Sequence, residues 1–217
     1  MEENIFIKNA KNVYSQNGDD GVIESILNHF KIDSGVCCEF GASDGLGNAN
    51  TALLWKHFPE KWKALLIEPR SEVLNDLREN TKNYANVKTL FEKVTPENIN
   101  DILNMHLPPG DFHLLSIDID GDDLKIFEAL TLTPSIIAIE ATHVFGDVDH
   151  YDPHRGSTPK AVVKLASQKN YFPVATTGNI YLIHNSLLEK VPTKILTTAW
   201  IENSEVVSLQ NLPRMVL

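Results

Sequence analysis

The stretch from Val36 to Gly45, Val-Cys-Cys-Glu-Phe-Gly-Ala-Ser-Asp-Gly, most constrains this chain, because an apolar run ends in an acid and breaks into a glycine-bracketed turn. It reads as the first strand of an open α/β sheet and the loop that leaves it. The spacing Glu39-x-Gly41-x-x-x-Gly45 puts glycine where a tight turn, or a close approach of backbone to a ligand, is needed. No P-loop lysine and no third glycine for a pyrophosphate are present, and Glu39 and Asp44 beside the loop would repel phosphate. A ligand with a cationic end fits better. A helical segment from about Asn50 to Phe58 follows, and a second apolar strand, Lys63 to Ile67, ends in Glu68. Glu68 lies 23 residues beyond Gly45, about where a doubly wound fold offers a carboxylate to ribose hydroxyls. An ammonium near Glu39 and a ribose on Glu68 describe S-adenosylmethionine.

Further along, the same grammar repeats. A helix is expected from about Asp19 to Phe30, with Val22, Ile23, Ile26, Leu27 and Phe30 on one face and acids near its start. The preceding Ser15-Gln16-Asn17-Gly18 reads as a turn and cap, or functionally as a segment over the cofactor from which Gln16 reaches in. Ser71 is the expected cap of the next helix, with Val73, Leu74 and Leu77 as its buried face; a third strand runs from about Val87 to Val94. Thr95-Pro96 is the expected start of the helix after it. The fourth strand, Phe112 to Asp120, is apolar on both sides of the pleat, as in a buried parallel strand. Asp118 and Asp120 at its end share one face, and two like charges side by side require a cation, a donor or a proton. One of them could instead cap the helix beginning near Asp122.

The fifth strand, Ser135 to Glu140, again ends in an acid, and a long loop from Ala141 to Thr158 carries His143, Asp147, Asp149, His150, Asp152 and His154. A loop of that length in a compact domain suits a functional role, and its composition suits a divalent metal or a general base. His143, three residues past Glu140, is the best placed. Thr158-Pro159 caps another helix, and Phe172 to Ala175 and Ile180 to Ile183 form an antiparallel hairpin around Thr176-Thr177-Gly178-Asn179. Strand and helix alternate five times before that hairpin, so the fold class expected is α/β: a mostly parallel, Rossmann-like class I methyltransferase sheet with helices on both faces. A dehydrogenase would continue with parallel strands.

Composition narrows the partners. The expectation for 217 residues, 42% hydrophobic and 22% charged, is one domain over 1–217, with 1–33 a helical segment over the cofactor and 184–217 an extension for packing or oligomer contact. A formal charge of −10 argues against nucleic acid or an anionic membrane as partner; a homo-oligomer is left open. Cys37 and Cys38 point to opposite faces of the first strand, so they do not pair, and the absence of a signal pattern gives a cytoplasmic expectation.

The runs Ser15-Gln16-Asn17-Gly18-Asp19-Asp20-Gly21, Glu39-Phe40-Gly41-Ala42-Ser43-Asp44-Gly45, Leu115-Ser116-Ile117-Asp118-Ile119-Asp120-Gly121 and Ile139-Glu140 resemble the FkbM-type S-adenosylmethionine-dependent methyltransferases. In that family the fourth-strand pattern is commonly Lys-Ile-Asp-Val-Glu-Gly; Asp118 matches its aspartate and Asp120 stands where glutamate is usual. The resemblance implies O-methylation of a sugar, a nucleotide-linked sugar or a polysaccharide precursor, with a small-molecule or carbohydrate acceptor. A related group of metal-dependent macrolide-sugar O-methyltransferases has Asp-Gly-Asp after the fourth strand, as in Asp120-Gly121-Asp122, and paired acids after the fifth, where this chain has Glu140-Ala141. Mg or Mn held by Asp120, Glu140 and His143 is therefore one option.

The expected cofactor-binding set is Gln16, Glu39, Gly41, Asp44, Asn50, Glu68 and Asp118, and the expected catalytic residues are His143 and Asp120. His143 would serve either as base or as metal ligand, and the two roles exclude each other. Arg155 and Lys160 could meet a substrate phosphate, although plain surface charge explains them as well. A nicotinamide-dependent oxidoreductase and a non-catalytic binding or assembly module of the same fold are the rival readings.

Overall fold

The computed structural model describes residues 4–142, 144–146 and 148–191. Its main sheet has seven strands: β1 (Gly35–Phe40), β2 (Trp62–Ile67), β3 (Val87–Leu90), β4 (Phe112–Ile117), β5 (Ile136–Glu140), β8 (Tyr171–Thr176) and β9 (Asn179–His184). The strand order is β3-β2-β1-β4-β5-β9-β8, with β1, β2, β3, β4 and β5 parallel and β9 antiparallel to both neighbours. This is the class I methyltransferase arrangement. The order in which strands are added reverses between the adjacent parallel strands β1 and β4, and a ligand crevice in such sheets opens beyond the carboxyl ends of the strands at that point.

Helices cover both faces. On one side lie α1 (Asp19–Phe30), α2 (Ala52–His57) and α3 (Leu74–Thr81), contributing Ile23, Ile26, Phe30, Trp55 and Leu77 to one apolar cluster; on the other, α4 (Ile99–His106), α5 (Asp123–Ala129) and α6 (Pro159–Gln168) contribute Ile99, Leu103, Phe127 and Val162 to a second. Cys37 belongs to the first cluster and Cys38 to the second, and both are free thiols, as strand alternation requires. Among the described residues no helix is long and apolar enough to cross a membrane.

Several local expectations are met and others corrected. The helix expected over 19–30 is α1, and the Thr158 hydroxyl caps α6 by accepting from the Ala161 amide, with Pro159 opening the helix. Ser71 does not cap α3: the helix starts three residues later behind Val73, and of the expected face Leu77 is buried while Val73 and Leu74 are half-buried. Thr95-Pro96 likewise opens a turn rather than α4, because the Asn98 side chain accepts from the Thr95 amide at 2.7 Å and the helix begins at Ile99. The fourth strand ends at Ile117, so Asp118 and Asp120 lie in the turn beyond it. The region 141–158 is not one open loop, since β6 (Tyr151–Asp152) and β7 (Gly156–Ser157) form a small antiparallel hairpin within it.

Candidate functional site

The crevice floor is set by Gly41. Its φ is +75°, and a Cβ there would lie 1.8 Å from the Asp118 carbonyl oxygen, so the turn leaving β1 can press against the turn leaving β4 only with glycine. Beside it, Glu39 is 3% exposed and both its oxygens are engaged. Oε1 accepts from the Asn50 amide at 2.6 Å; Oε2 accepts from the Thr51 amide at 3.1 Å and the Thr51 hydroxyl at 2.5 Å. Glu39 thus ties β1 to the start of α2. Burial foremost, with the Asp20 charge adding to it, lifts its carboxyl to about 7 against those hydrogen bonds.

Asp44 folds back on its own loop, accepting from the Leu46 amide at 2.9 Å and the Gly47 amide at 2.6 Å. Asn50 is buried and donates to the Ser116 hydroxyl at 2.9 Å, joining α2 to β4. Gln16 is exposed, in the segment preceding α1.

Glu68, at the end of β2, accepts from the Ser43 amide at 2.7 Å, so the glycine loop and the β2 carboxylate are one unit. Its other partner is Arg70, whose backbone N and Nε lie 2.9 and 2.8 Å from Oε1. Burial alone would raise Glu68; the Arg70 and Ser43 hydrogen bonds and the Arg70 charge outweigh it and hold the carboxylate below its ordinary value. The sequence reading missed Arg70, although a cation two residues after the ribose acid was there to be noticed.

Asp118, Asp120 and Glu140 each offer a carboxylate oxygen, and these oxygens lie within 4.8 Å of one another. Burial first, then Glu140, Asp123, Asp120 and Glu39, pushes Asp118 up to about 8; burial, then Asp123 and Asp120, pushes Glu140 to about 7. Such a cluster keeps its protons up to neutral pH, and a cation can take their place as they are lost. Asp123, also missed, is the turn-builder: it is fully buried and accepts from the Ile119 amide at 2.8 Å and the Gly121 amide at 3.0 Å. Asp122, the second acid of the Asp-Gly-Asp run, instead accepts from the Tyr151 hydroxyl, which joins the β6–β7 hairpin to the start of α5. At Gly121 (φ +156°) a Cβ would lie 2.5 Å from the Pro153 carbonyl oxygen, so the hairpin rests directly on the β4 turn. His143 and Asp147 lie outside the described residues.

A cavity of about 1270 Å³ lies elsewhere: it opens at the amino ends of β1, β2, β3 and β4, between Gly35, Lys63, Lys88, His106 and Gly110. The cluster of acids at the opposite rim, not cavity size, marks the candidate site.

The fold defines the class of solved structures to which this chain is similar. One solved relative is the CurJ carbon methyltransferase, with a TM-score of 0.50 at 10% identity over 78% of this chain and 55% of that one. Others are a SAM-dependent methyltransferase from Aquifex aeolicus (TM-score 0.47, 18% identity, 74% of this chain and 86% of that one) and precorrin-6y C5,15-methyltransferase from Geobacter metallireducens GS-15 (0.48, 16%, 75% and 85%). At these identities the likeness is one of fold. No protein-family model matches the sequence, and no curated protein matches it.

Proposed function

We propose that the chain is an S-adenosylmethionine-dependent O-methyltransferase acting on a hydroxyl of a sugar, nucleotide-linked sugar or polysaccharide precursor. The observation that carries the reading is the Asp118, Asp120 and Glu140 cluster at the β1/β4 switch point, one loop away from a β2 carboxylate placed for a ribose diol. The residues present fit the donor, since the Asp118, Asp120 and Glu140 oxygens converge within 4.8 Å and crowded, buried carboxylates gain from a neighbouring positive charge. When bound, the donor supplies an electrophilic methyl group.

This chain's residues supply the rest. Glu68 accepts from the ribose hydroxyls once Arg70 swings aside; Gly41 and Asp44 shape the loop under the methionine end, with Gln16 above it. Glu39, its oxygens committed to Asn50 and Thr51, holds that loop in place. Asp118 forms the far wall. The β6–β7 hairpin, braced on Gly121 and Asp122, encloses the acceptor side and limits water there. His143 takes the hydroxyl proton as the bond to carbon forms. The oxygen donor set of Asp118, Asp120 and Glu140 also fits Mg or Mn, so the expected set Asp120, Glu140 and His143 gains Asp118. A metal there would lower the pKa of the acceptor hydroxyl.

A methyl-transfer assay across nucleotide-linked sugars, with and without EDTA, tests the reading. Turnover lost on chelation and restored by Mg or Mn assigns Asp118, Asp120 and Glu140 to a metal; turnover indifferent to EDTA but lost in His143→Ala assigns the proton to His143. If calorimetry detects no association with S-adenosylhomocysteine at millimolar levels, the reading fails.

A further inference from the structure

Three buried acceptor oxygens where α1 and α2 meet the carboxyl rim have no partner among the described residues: Asp19 Oδ2, Asp20 Oδ1 and Asn50 Oδ1. The residues are 0%, 1% and 3% exposed. Each side chain is pinned by its other polar atom. Asp20 Oδ2 accepts from the amides of Val13, Tyr14 and Ser15 and from the Ser15 hydroxyl, all at 2.7 to 2.8 Å. Asp19 Oδ1 accepts from the hydroxyls of Thr177 and Tyr181, and the Asn50 amide nitrogen donates to Ser116. The bare oxygens are therefore held in place rather than free to turn away.

They belong to the same electrostatic neighbourhood as the crevice. The Asp20 charge raises the Glu39 carboxyl, and the Glu39 charge in turn raises Asp118. Through its backbone amide Asn50 binds Glu39 itself. An acceptor left without a donor away from water costs about 1–3 kcal/mol, and more when charged. Acceptors alone cannot satisfy one another, so the group that completes this corner brings donors, and beside two carboxylates a positive charge adds to its fit. An alkylammonium, with three donors and no acceptor, has that chemistry. Glu39, the sequence's candidate for that contact, is already committed on both oxygens.

We propose that Asp20 Oδ1 and Asn50 Oδ1 receive the ammonium of the amino-acid end of the methyl donor, with Asp19 as the second negative charge behind them. The assignment rests on the S-adenosylmethionine reading above and makes the segment from Val13 to Asp20 part of the binding site. Asp20 is the link: the oxygen that organises the segment and the oxygen that meets the ligand sit on one carboxylate.

The test is calorimetry on the intact chain with S-adenosylhomocysteine, its desamino analogue, and 5′-methylthioadenosine, which lacks the whole amino-acid end. In the unmodified chain, loss of the amine weakens binding about 10- to 100-fold, the range of a charge-assisted hydrogen bond pair. In Asp20→Asn and in Asn50→Ala that ratio falls below about threefold, while affinity for methylthioadenosine, which depends on Glu68, is unchanged. Asn50→Ala decides the matter if Asp20→Asn does not fold. Equal affinity of the unmodified chain for the amino and desamino ligands overturns the proposal, and so does a variant that folds and keeps the ratio. Binding of none of the three ligands overturns the donor reading itself, and this inference with it.

Discussion

At the carboxyl rim of the sheet acids face acids, whereas at the amino rim charges of one sign meet partners of another kind. Asp118, Asp120 and Glu140 crowd one another beside the β4 turn, and burial first, with the neighbouring acids adding to it, drives two of the three toward neutrality. In the groove at the other end, Lys61 pairs with Asp33 at 3.3 Å, Lys63 donates to the Pro109 carbonyl at 2.9 Å, and Lys88 lies 3.0 Å from His106 Nδ1. A surface that answers its own charges gains little from a further ion, whereas one that concentrates a single sign gains from a counter-charge.

The sharpest way to break this contrast is Gly41→Ala. A Cβ meeting the Asp118 carbonyl oxygen at 1.8 Å, on a residue at φ +75°, forces β1 and β4 apart, and we expect a loss of more than about 3 kcal/mol in denaturant unfolding together with loss of cofactor binding. Near wild-type stability would mean that the two turns do not depend on close approach.

Next comes Asp118→Asn, which removes one charge from the crowded rim. The free chain should be at least as stable as the parent above pH 7, yet bind S-adenosylmethionine about tenfold more weakly or worse. A drop in thermal stability with unchanged affinity would count against the rim as a cation site.

The pH dependence follows from the same two groups. Asp118 and Glu140 have folded-state values raised to about 8 and about 7, so their neutral forms favour the folded chain fully below the ordinary carboxylate range, and this contribution is lost as pH rises through 7 and 8. Melting temperature of the ligand-free chain should therefore fall from pH 6 to pH 9 while affinity for the cationic donor rises. Parallel trends in the two quantities would contradict it. Arg70→Ala should matter less. Its partner Glu68 is buried but Arg70 itself is half exposed, so the pair is screened and its loss should cost under about 1 kcal/mol, without weakening S-adenosylmethionine binding.

The smallest effect is expected at the amino rim, where Lys63→Ala and Lys88→Ala together should change melting and cofactor affinity within about 0.5 kcal/mol. A larger effect on binding would relocate the site.

What could be read from the sequence divides along physical lines. The Asp19 to Phe30 helix and the Thr158-Pro159 start of α6 were legible because periodicity and cap chemistry act within one or two turns. Ser71 and Thr95 misled because the same hydroxyl residues also begin turns, and only the three-dimensional chain shows whether a helix follows at once. Strands of two residues, as in β6 and β7, carry no alternation to detect. At the site, an acid at the end of each of β1, β2 and β5 was visible, but not which donors would claim it. Glu39 is taken by the amides that open α2 and Glu68 by Arg70, contacts that arise only when the segments meet. Asp123 was overlooked because the three acids of Asp120-Gly121-Asp122-Asp123 look interchangeable in a string, although one of them is fully buried.

The neighbouring thiols of β1 carry a separate consequence. Cys37 lies in the layer under α1 and α2 and Cys38 in the layer under α4 and α5, both fully buried, with burial pushing each thiol well above its ordinary value. Neither will react with an alkylating reagent until its own side of the sheet loosens. A single strand thus carries two chronometers, one per layer, and their labelling rates with and without ligand would tell which half of the molecule breathes first.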